Sequence, residues 1–213
     1  MINVDKFWNK CMNVGPKYIN KYIFYINYLL NEFGTYMQCN RFDVGICIEL
    51  IITDFLKDCN FKISHTPNAK RTDIIINNDL YLSIKYSSRD NITLHNSNSC
   101  INNDLKCNNL LILTTNEIYL ISPTILYNEY SFDINDFLIN CGDSLKLRRT
   151  IFKRLHKINY KYISSIKLHI DKSTCKNRLC PELFYKILKY EMNKKINKNV
   201  YYKKKHLIIQ LIK

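Results

Sequence analysis

Residues 70–88 read KRTDIIINNDLYLSIKYSS, and this stretch narrows the possible folds more than any other. Two short runs rich in Ile and Leu flank an Asn-Asn-Asp triplet. Their alternation predicts paired strands over 72–77 and 80–87. Successive strand side chains point to opposite faces, so a one-residue slip in pairing turns the whole apolar set to the wrong side. If Asn77, Asn78 and Asp79 form a three-residue turn, Ile76 pairs with Leu80, Ile74 with Leu82 and Asp73 with Ser83. Asn tolerates the left-handed backbone that such a turn needs. A two-residue turn would instead set Asp73 against an apolar residue. The pattern therefore selects a register with Ile74, Ile76, Leu80, Leu82 and Ile84 on one face. Asp73, Tyr81, Ser83 and Lys85 share the other.

The rest of the chain reads as helices and strands around this hairpin. Ile19, Ile23, Ile26 and Leu30 have helical spacing and predict a helix over 17–33, ended by Gly34. A second helix is expected over 42–58, capped by Asp43. Its buried stripe is Val44, Ile48, Ile51 and Phe55, with Cys47, Ile52 and Leu56 beside it, and Glu49 is the one charge in its middle. A strand is expected at 61–65, followed by a turn at 66–70. The polar stretch 88–108 reads as loop with room for one short helix. Strands follow at 109–114 and 117–122, turned at Asn116. SLKLRRTIFKRLHKI (144–158) reads as a basic helix with Leu147, Ile151, Leu155 and Ile158 inward. Beyond it come a strand at 160–170, a helix over 181–196 opened by Pro181, and a final strand over 200–213. This order argues for an α/β protein with a mixed central β-sheet flanked by helices.

A chain of 213 residues suits one domain. We divide it into an N-terminal helical region (1–41), a core (42–122) and a basic C-terminal part (123–213). The net charge of +14 and pI near 9.3 favour a polyanionic partner, nucleic acid before an anionic membrane. The competing explanation is compositional. Of the 32 basic residues 25 are Lys, and Lys, Asn, Ile and Tyr all have A/T-rich codons. Only 4 Gly are present, so no Gly-rich phosphate loop is available and no small-molecule cofactor is expected. The 9 Cys form no CxxC pair, which argues against structural zinc and for a reducing, intracellular setting. The start, MINVDKFWNKCMNV, has no apolar core of a signal peptide. The longest apolar run, YIFYINYLL, is far short of the ~20 residues of a membrane span, so no membrane partner is expected.

A helix carrying Glu49, a strand opening with Asp73 and a strand carrying Ser83-Ile84-Lys85 follow one another in this chain. In order and spacing, residues 42–122 resemble the PD-(D/E)xK nuclease superfamily. The resemblance implies a restriction-endonuclease-like fold and Mg²⁺-dependent hydrolysis of DNA phosphodiesters that leaves 5′-phosphate ends. It implies that Asp73 holds Mg²⁺ with the main-chain carbonyl of Ile84, that Glu49 ligates directly or through a water, and that Lys85 orients the attacking water. Mg²⁺ suits such a set, because it takes hard oxygen ligands and keeps several waters. The departure is Ser83, where the family carries Asp or Glu. Either Glu49 supplies the second carboxylate from the helix, or the site is inactive and only the fold survives. Retention of Asp73, Glu49 and Lys85 together favours the first. An ordinary cross-strand ion pair between Asp73 and Lys85 is the plain alternative. Asp79 reads as a turn residue, and His65 as a surface histidine or a phosphate contact.

Basic residues supply the expected DNA contacts. Lys146, Arg149, Lys153 and Lys157 fall on one face of the basic helix, with Arg148 and Arg154 beside them, and suit a phosphate backbone. Arg149 or Arg154 could instead read a guanine edge. Arg41 and Arg71 add positive potential near the site. The expected partner is double-stranded DNA, cut in a sequence-specific, restriction-type manner, and cleavage of both strands favours a homodimer. The competing class is a catalytically inactive nucleic-acid-binding protein.

Overall fold

A computed structural model describes residues 3–14, 16–33, 40–65, 72–87, 91–95, 109–141, 144–170 and 179–182, with 184 and 186. These form five α-helices and nine strands. The helices are α1 (Val4–Met12), α2 (Pro16–Glu32), α3 (Arg41–Asp58), α4 (Pro123–Tyr130) and α5 (Thr150–Lys157). The strands are β1 (Ile63–His65), β2 (Ile74–Ile76), β3 (Leu80–Tyr86), β4 (Asn91–His95), β5 (Asn109–Leu113), β6 (Glu117–Ile121), β7 (Leu138–Cys141), β8 (Ser144–Arg148) and β9 (Ile163–Ser165). A short 3₁₀ turn, Ile134–Phe137, precedes β7. The architecture is mixed α/β. The central sheet has the order β1-β2-β3-β5-β6-β9, with β3 and β5 parallel and the other pairs antiparallel. β4, β8 and β7 make a second, antiparallel sheet.

Register fixes which residues share a face of the central sheet. Ile84 lies beside Leu111, Leu111 beside Leu120, and Leu113 beside Ile118. These apolar groups, with Ile74, Ile76 and Leu82, make the first face. Helices α1 to α3 cover it: Leu111, Ile118 and Ser164 line a cavity of about 50 Å³ together with Phe7, Ile23 and Phe55. The second face carries Tyr81, Ser83 and Lys85, then Leu110 and Ile112, then Tyr119. Helix α5 lies on it at the far side, where Phe152 stacks on Tyr119 with ring centroids 4.2 Å apart. The buried side chains form one continuous cluster, from Phe7 in α1 to Phe184.

Helix α1 was not legible as a helix in the sequence. Its nine residues present a narrow inward stripe, Phe7, Trp8 and Cys11, and the Asn3 side chain caps it by accepting from the Lys6 amide at 2.8 Å. Helix α2 begins one residue before the expected start, but its buried stripe is rotated. Tyr22, Tyr25, Ile26, Leu29, Leu30 and Phe33 are inward, while Ile19 and Ile23 are half-buried. Helix α3 buries the expected stripe, with Phe55 only half-buried at its rim. Asp43 lies in its first turn, and the capping position is Asn40.

The largest correction falls on 144–158. Residues 144–148 are strand β8, and only 150–157 are helical. Leu145 and Leu147 point inward at strand spacing, and Ile151 and Leu155 continue the buried row at helical spacing. Two different periods therefore produce one apparent apolar stripe. Within 88–108 the chain forms β4, and α4 and β7 are likewise elements that the sequence did not signal. The strand expected over 160–170 is regular only at 163–165. Its backbone continues to bond, with Ile166 N–H donating to Asn116 O at 2.8 Å and Leu168 N–H to Thr115 O at 2.9 Å. Gly34, most of the helix expected at 181–196 and the strand expected at 200–213 lie outside the described residues.

Candidate active site

The hairpin forms in the register that the alternation selects. Ile74 pairs with Leu82, Ile75 with Tyr81 and Ile76 with Leu80. Asn77 and Asn78 take left-handed φ of 50° and 63°, and Asp79 N–H donates to Ile76 O at 3.1 Å to close the turn. Asn77 also ties the turn to β1, because its side-chain oxygen accepts from the Lys62 amide at 2.9 Å. His65 pairs with Ile74 and so projects to the first face, away from Asp73.

Asp73 sits one residue before β2, where the ladder with β3 opens. Its own amide still donates to Leu82 O at 3.2 Å. Its carboxylate turns back to β3, and Oδ2 accepts from Ile84 N–H at 2.5 Å and from Lys85 Nζ at 3.3 Å. The side chains of Lys85 and Asp73 are 21% and 20% exposed, so the pair is more enclosed than the water-facing surface that alternation alone suggests. The carbonyl of a strand residue projects to the same edge as its amide. The Ile84 carbonyl therefore faces the Asp73 edge and not β5.

Glu49 comes to this pair from α3, which packs on β3. It is half-buried, and its carboxyl is pushed up to about 7. Burial is the main cause and the charge of Asp73 adds to it, while Lys85 acts in the opposite direction. Glu49, Asp73 and Lys85 thus interact across the junction of helix and hairpin. Ser83 lies on the same face, next to Lys85 along β3, and is only 3% exposed. It contributes a buried hydroxyl at the position where the sequence resemblance leads one to expect a carboxylate.

Two carboxylates and a main-chain carbonyl are hard oxygen donors, the set that Mg²⁺ prefers. The Asp73 charge adds to the raised Glu49 carboxyl, after burial, and a divalent cation between the two would relieve that part of the shift. The set is small. Among the described residues no three His, Cys, Asp or Glu side chains gather as a metal-binding group.

The expected DNA-contacting residues divide between two elements. Lys146 and Arg148 are on β8 and project away from the core, since Leu145 and Leu147 fill its inward positions. Lys153, Arg154 and Lys157 are exposed on α5, while Arg149 is half-buried just before it. Among the described residues Lys146, Arg148, Lys153, Arg154 and Lys157 have no acidic partner. Arg71 lies outside the described residues, and Arg41 is the first residue of α3.

Sequence reasoning missed a second polar cluster. His156 Nε2 lies 3.0 Å from Glu117 Oε1 and 3.1 Å from the Tyr119 hydroxyl, which also donates to Glu117. Burial and the Glu117 carboxylate raise the Tyr119 hydroxyl above its ordinary value. The cluster ties α5 to β6. Its residues come from two elements 39 positions apart, so no local pattern could have signalled it.

Comparison with known proteins finds no matching family model, no matching curated protein and no matching solved structure. Among the described residues no helix is long and apolar enough to cross a membrane.

Proposed function

We propose that this chain is a Mg²⁺-dependent endodeoxyribonuclease of the PD-(D/E)xK type, with a restriction-endonuclease-like fold. Its proposed substrate is double-stranded DNA, cut in a sequence-specific, restriction-type manner, with a homodimer serving both strands. The observation that carries this reading is the convergence of Asp73, Lys85 and Glu49 from a hairpin and a packed helix, with Asp73 bonded to Ile84 N–H at 2.5 Å.

Each residue has a distinct task. Asp73 and Glu49, with the Ile84 carbonyl, are the groups that would hold Mg²⁺. The bound ion supplies charge neutralisation at the phosphate and lowers the pKa of its water. The Lys85 ammonium, paired with Asp73 at 3.3 Å, provides the positive charge that orients a nucleophilic water and meets the phosphate oxygens. Water adds to phosphorus, the bond from phosphorus to the 3′ oxygen breaks, and the products are a 5′-phosphate and a 3′-hydroxyl. Ser83 can position a water but adds no charge. Lys146, Arg148, Lys153, Arg154 and Lys157 support backbone binding by lacking acidic partners among the described residues.

Ser83 also favours a second reading, a catalytically inactive nucleic-acid-binding protein on the same fold. One experiment separates the two. Purified protein is incubated with mixed-sequence DNA in Mg²⁺ and in EDTA, and the products are run on a gel. Cleavage in Mg²⁺ alone supports the nuclease. Salt-sensitive binding without cleavage under any divalent metal supports the second reading.

A further inference from the structure

Tyr81 is 43% exposed, although β3 is an interior strand of the central sheet. The other large apolar side chains with comparable exposure among the described residues, Tyr18, Phe24, Ile46 and Tyr127, all lie on helices. Tyr81 marks where the cover of the second face ends, because Ser83, the next residue on that face, is only 3% exposed. Over the hairpin this face keeps a cross-strand row of Ser64, Ile75 and Tyr81, of which Ser64 is exposed and Ile75 half-buried.

A cation stands on either side of Tyr81 on this face: exposed Lys62, and Lys85, which is half-buried and paired with Asp73. Lys85 lies on the same side of the same strand, four residues on, or about 13 Å at the usual strand rise. Lys62 continues the β1 ladder opposite Asn77, whose amide donates to Lys62 O at 2.8 Å. Alternation puts the exposed Lys62 side chain on the side of Ser64 and Tyr81. An exposed ring between two cations on one strand face matches the alternation of base and phosphate along one nucleic-acid strand. Stacking on a ring needs the open π-face of an unpaired base, which a duplex conceals.

We infer that the open face of β1, β2 and β3 binds a single nucleic-acid strand, with an unpaired base stacked on Tyr81 and a phosphate near Lys62. This rests on the nuclease reading for its register. It places the stacked base beside the reacting phosphate at Lys85 and makes local unpairing of the substrate a requirement at the site.

The test is binding in EDTA, which removes cleavage from the measurement. Fluorescence anisotropy is read with a labelled oligothymidylate of about 12 nucleotides and with a duplex of the same length. Tyr81→Ala and Tyr81→Leu are expected to weaken single-strand binding roughly tenfold or more, and Tyr81→Phe to stay within about twofold of wild type. Lys62→Glu is expected to weaken binding and flatten its log–log salt slope by about 0.7. Equal binding by Tyr81→Ala and wild type overturns the inference. So does an equal loss by Tyr81→Phe, or an equal loss on the duplex. Loss by Tyr81→Ala in a protein that cuts nothing in Mg²⁺ or Mn²⁺ supports strand binding and rejects the nuclease. Cleavage by wild type, with Tyr81→Ala binding unchanged, does the reverse.

Discussion

The amide of Ile84 donates to Asp73 Oδ2 at 2.5 Å across the open end of the hairpin. This bond gives Asp73 a structural role beside its proposed chemical one, because the amide lies where the β2 ladder has stopped. Asp73→Ala is expected to abolish Mg²⁺-dependent cleavage and to cost ~1–3 kcal/mol in urea unfolding, since it strands the amide. Asp73→Asn keeps an acceptor oxygen, so it should lose cleavage at a smaller stability cost. Lys85→Met should also abolish cleavage, at a cost under ~1 kcal/mol for an ion pair near the surface. Wild-type cleavage rates in Asp73→Asn or Lys85→Met would remove both residues from the chemistry.

Glu49 gives the site a pH signature. In the folded chain its carboxyl is held up to about 7 by burial and by Asp73. The unfolded chain ionises near the ordinary value of about 4.3, so between these values the folded state binds more protons and stability falls as pH rises. Below the ordinary value both states are protonated and nothing is lost. Above about 7 the loss is complete, at most about 4 kcal/mol. In EDTA, Glu49→Gln should therefore be more stable than wild type at pH 8, with the gap closing toward pH 4. If Glu49 ligates Mg²⁺ as proposed, its ionised form is the ligand, so the Mg²⁺-induced rise in wild-type stability should grow through pH 7. Parallel melting-pH curves for the two proteins would contradict this.

The hairpin was legible because two requirements coincide in it. Alternation sorts Ile74, Leu82 and Ile84 from Asp73 and Lys85, and Asn77 and Asn78 accept the left-handed turn that this register needs. Helix α3 was legible for a related reason, a long stripe interrupted only by Glu49. The stretch 144–158 misled because Leu147, Ile151 and Leu155 keep a spacing of four across a strand-to-helix junction at Arg149. The strand signal was the shorter alternation of Leu145 and Leu147 with Lys146 and Arg148. Among the described residues β4 and β7 pair only with β8, so without β8 neither had a visible partner. The depth of Ser83 was unreadable for another reason. Alternation gives the face a side chain points to, and not what covers that face.

The division of the basic residues between β8 and α5 can be separated experimentally. Lys146→Glu with Arg148→Glu tests the strand, and Lys153→Glu with Lys157→Glu tests the helix. Removing one phosphate interaction should lower the slope of log affinity against log salt for duplex DNA by ~0.9. A change of nearly two in either pair marks that element as the one that grips the backbone. An unchanged slope in both would make the whole basic stretch a solvated surface.

The proposed transfer of a ligand carboxylate from position 83 to Glu49 is the most demanding test of the site. Ser83→Ala removes a hydroxyl that is 3% exposed, and should cost about 1 kcal/mol of stability with cleavage largely kept. Glu49→Gln keeps the shape, removes the charge, and should raise the Mg²⁺ requirement steeply or end cleavage. Ser83→Glu puts a third acid beside Asp73 in an enclosed position. Without metal it should destabilise the fold, and Mg²⁺ should recover more stability than it gives wild type. Combined with Glu49→Gln, it restores two carboxylates to the site, one of them on the strand, and should recover part of the cleavage. A double-mutant cycle on kcat/KM should then show strong coupling between positions 49 and 83. Additive losses would mean that the two positions do not share a ligand role. Full activity in Glu49→Gln would show that the helix carboxylate has not replaced the missing acid.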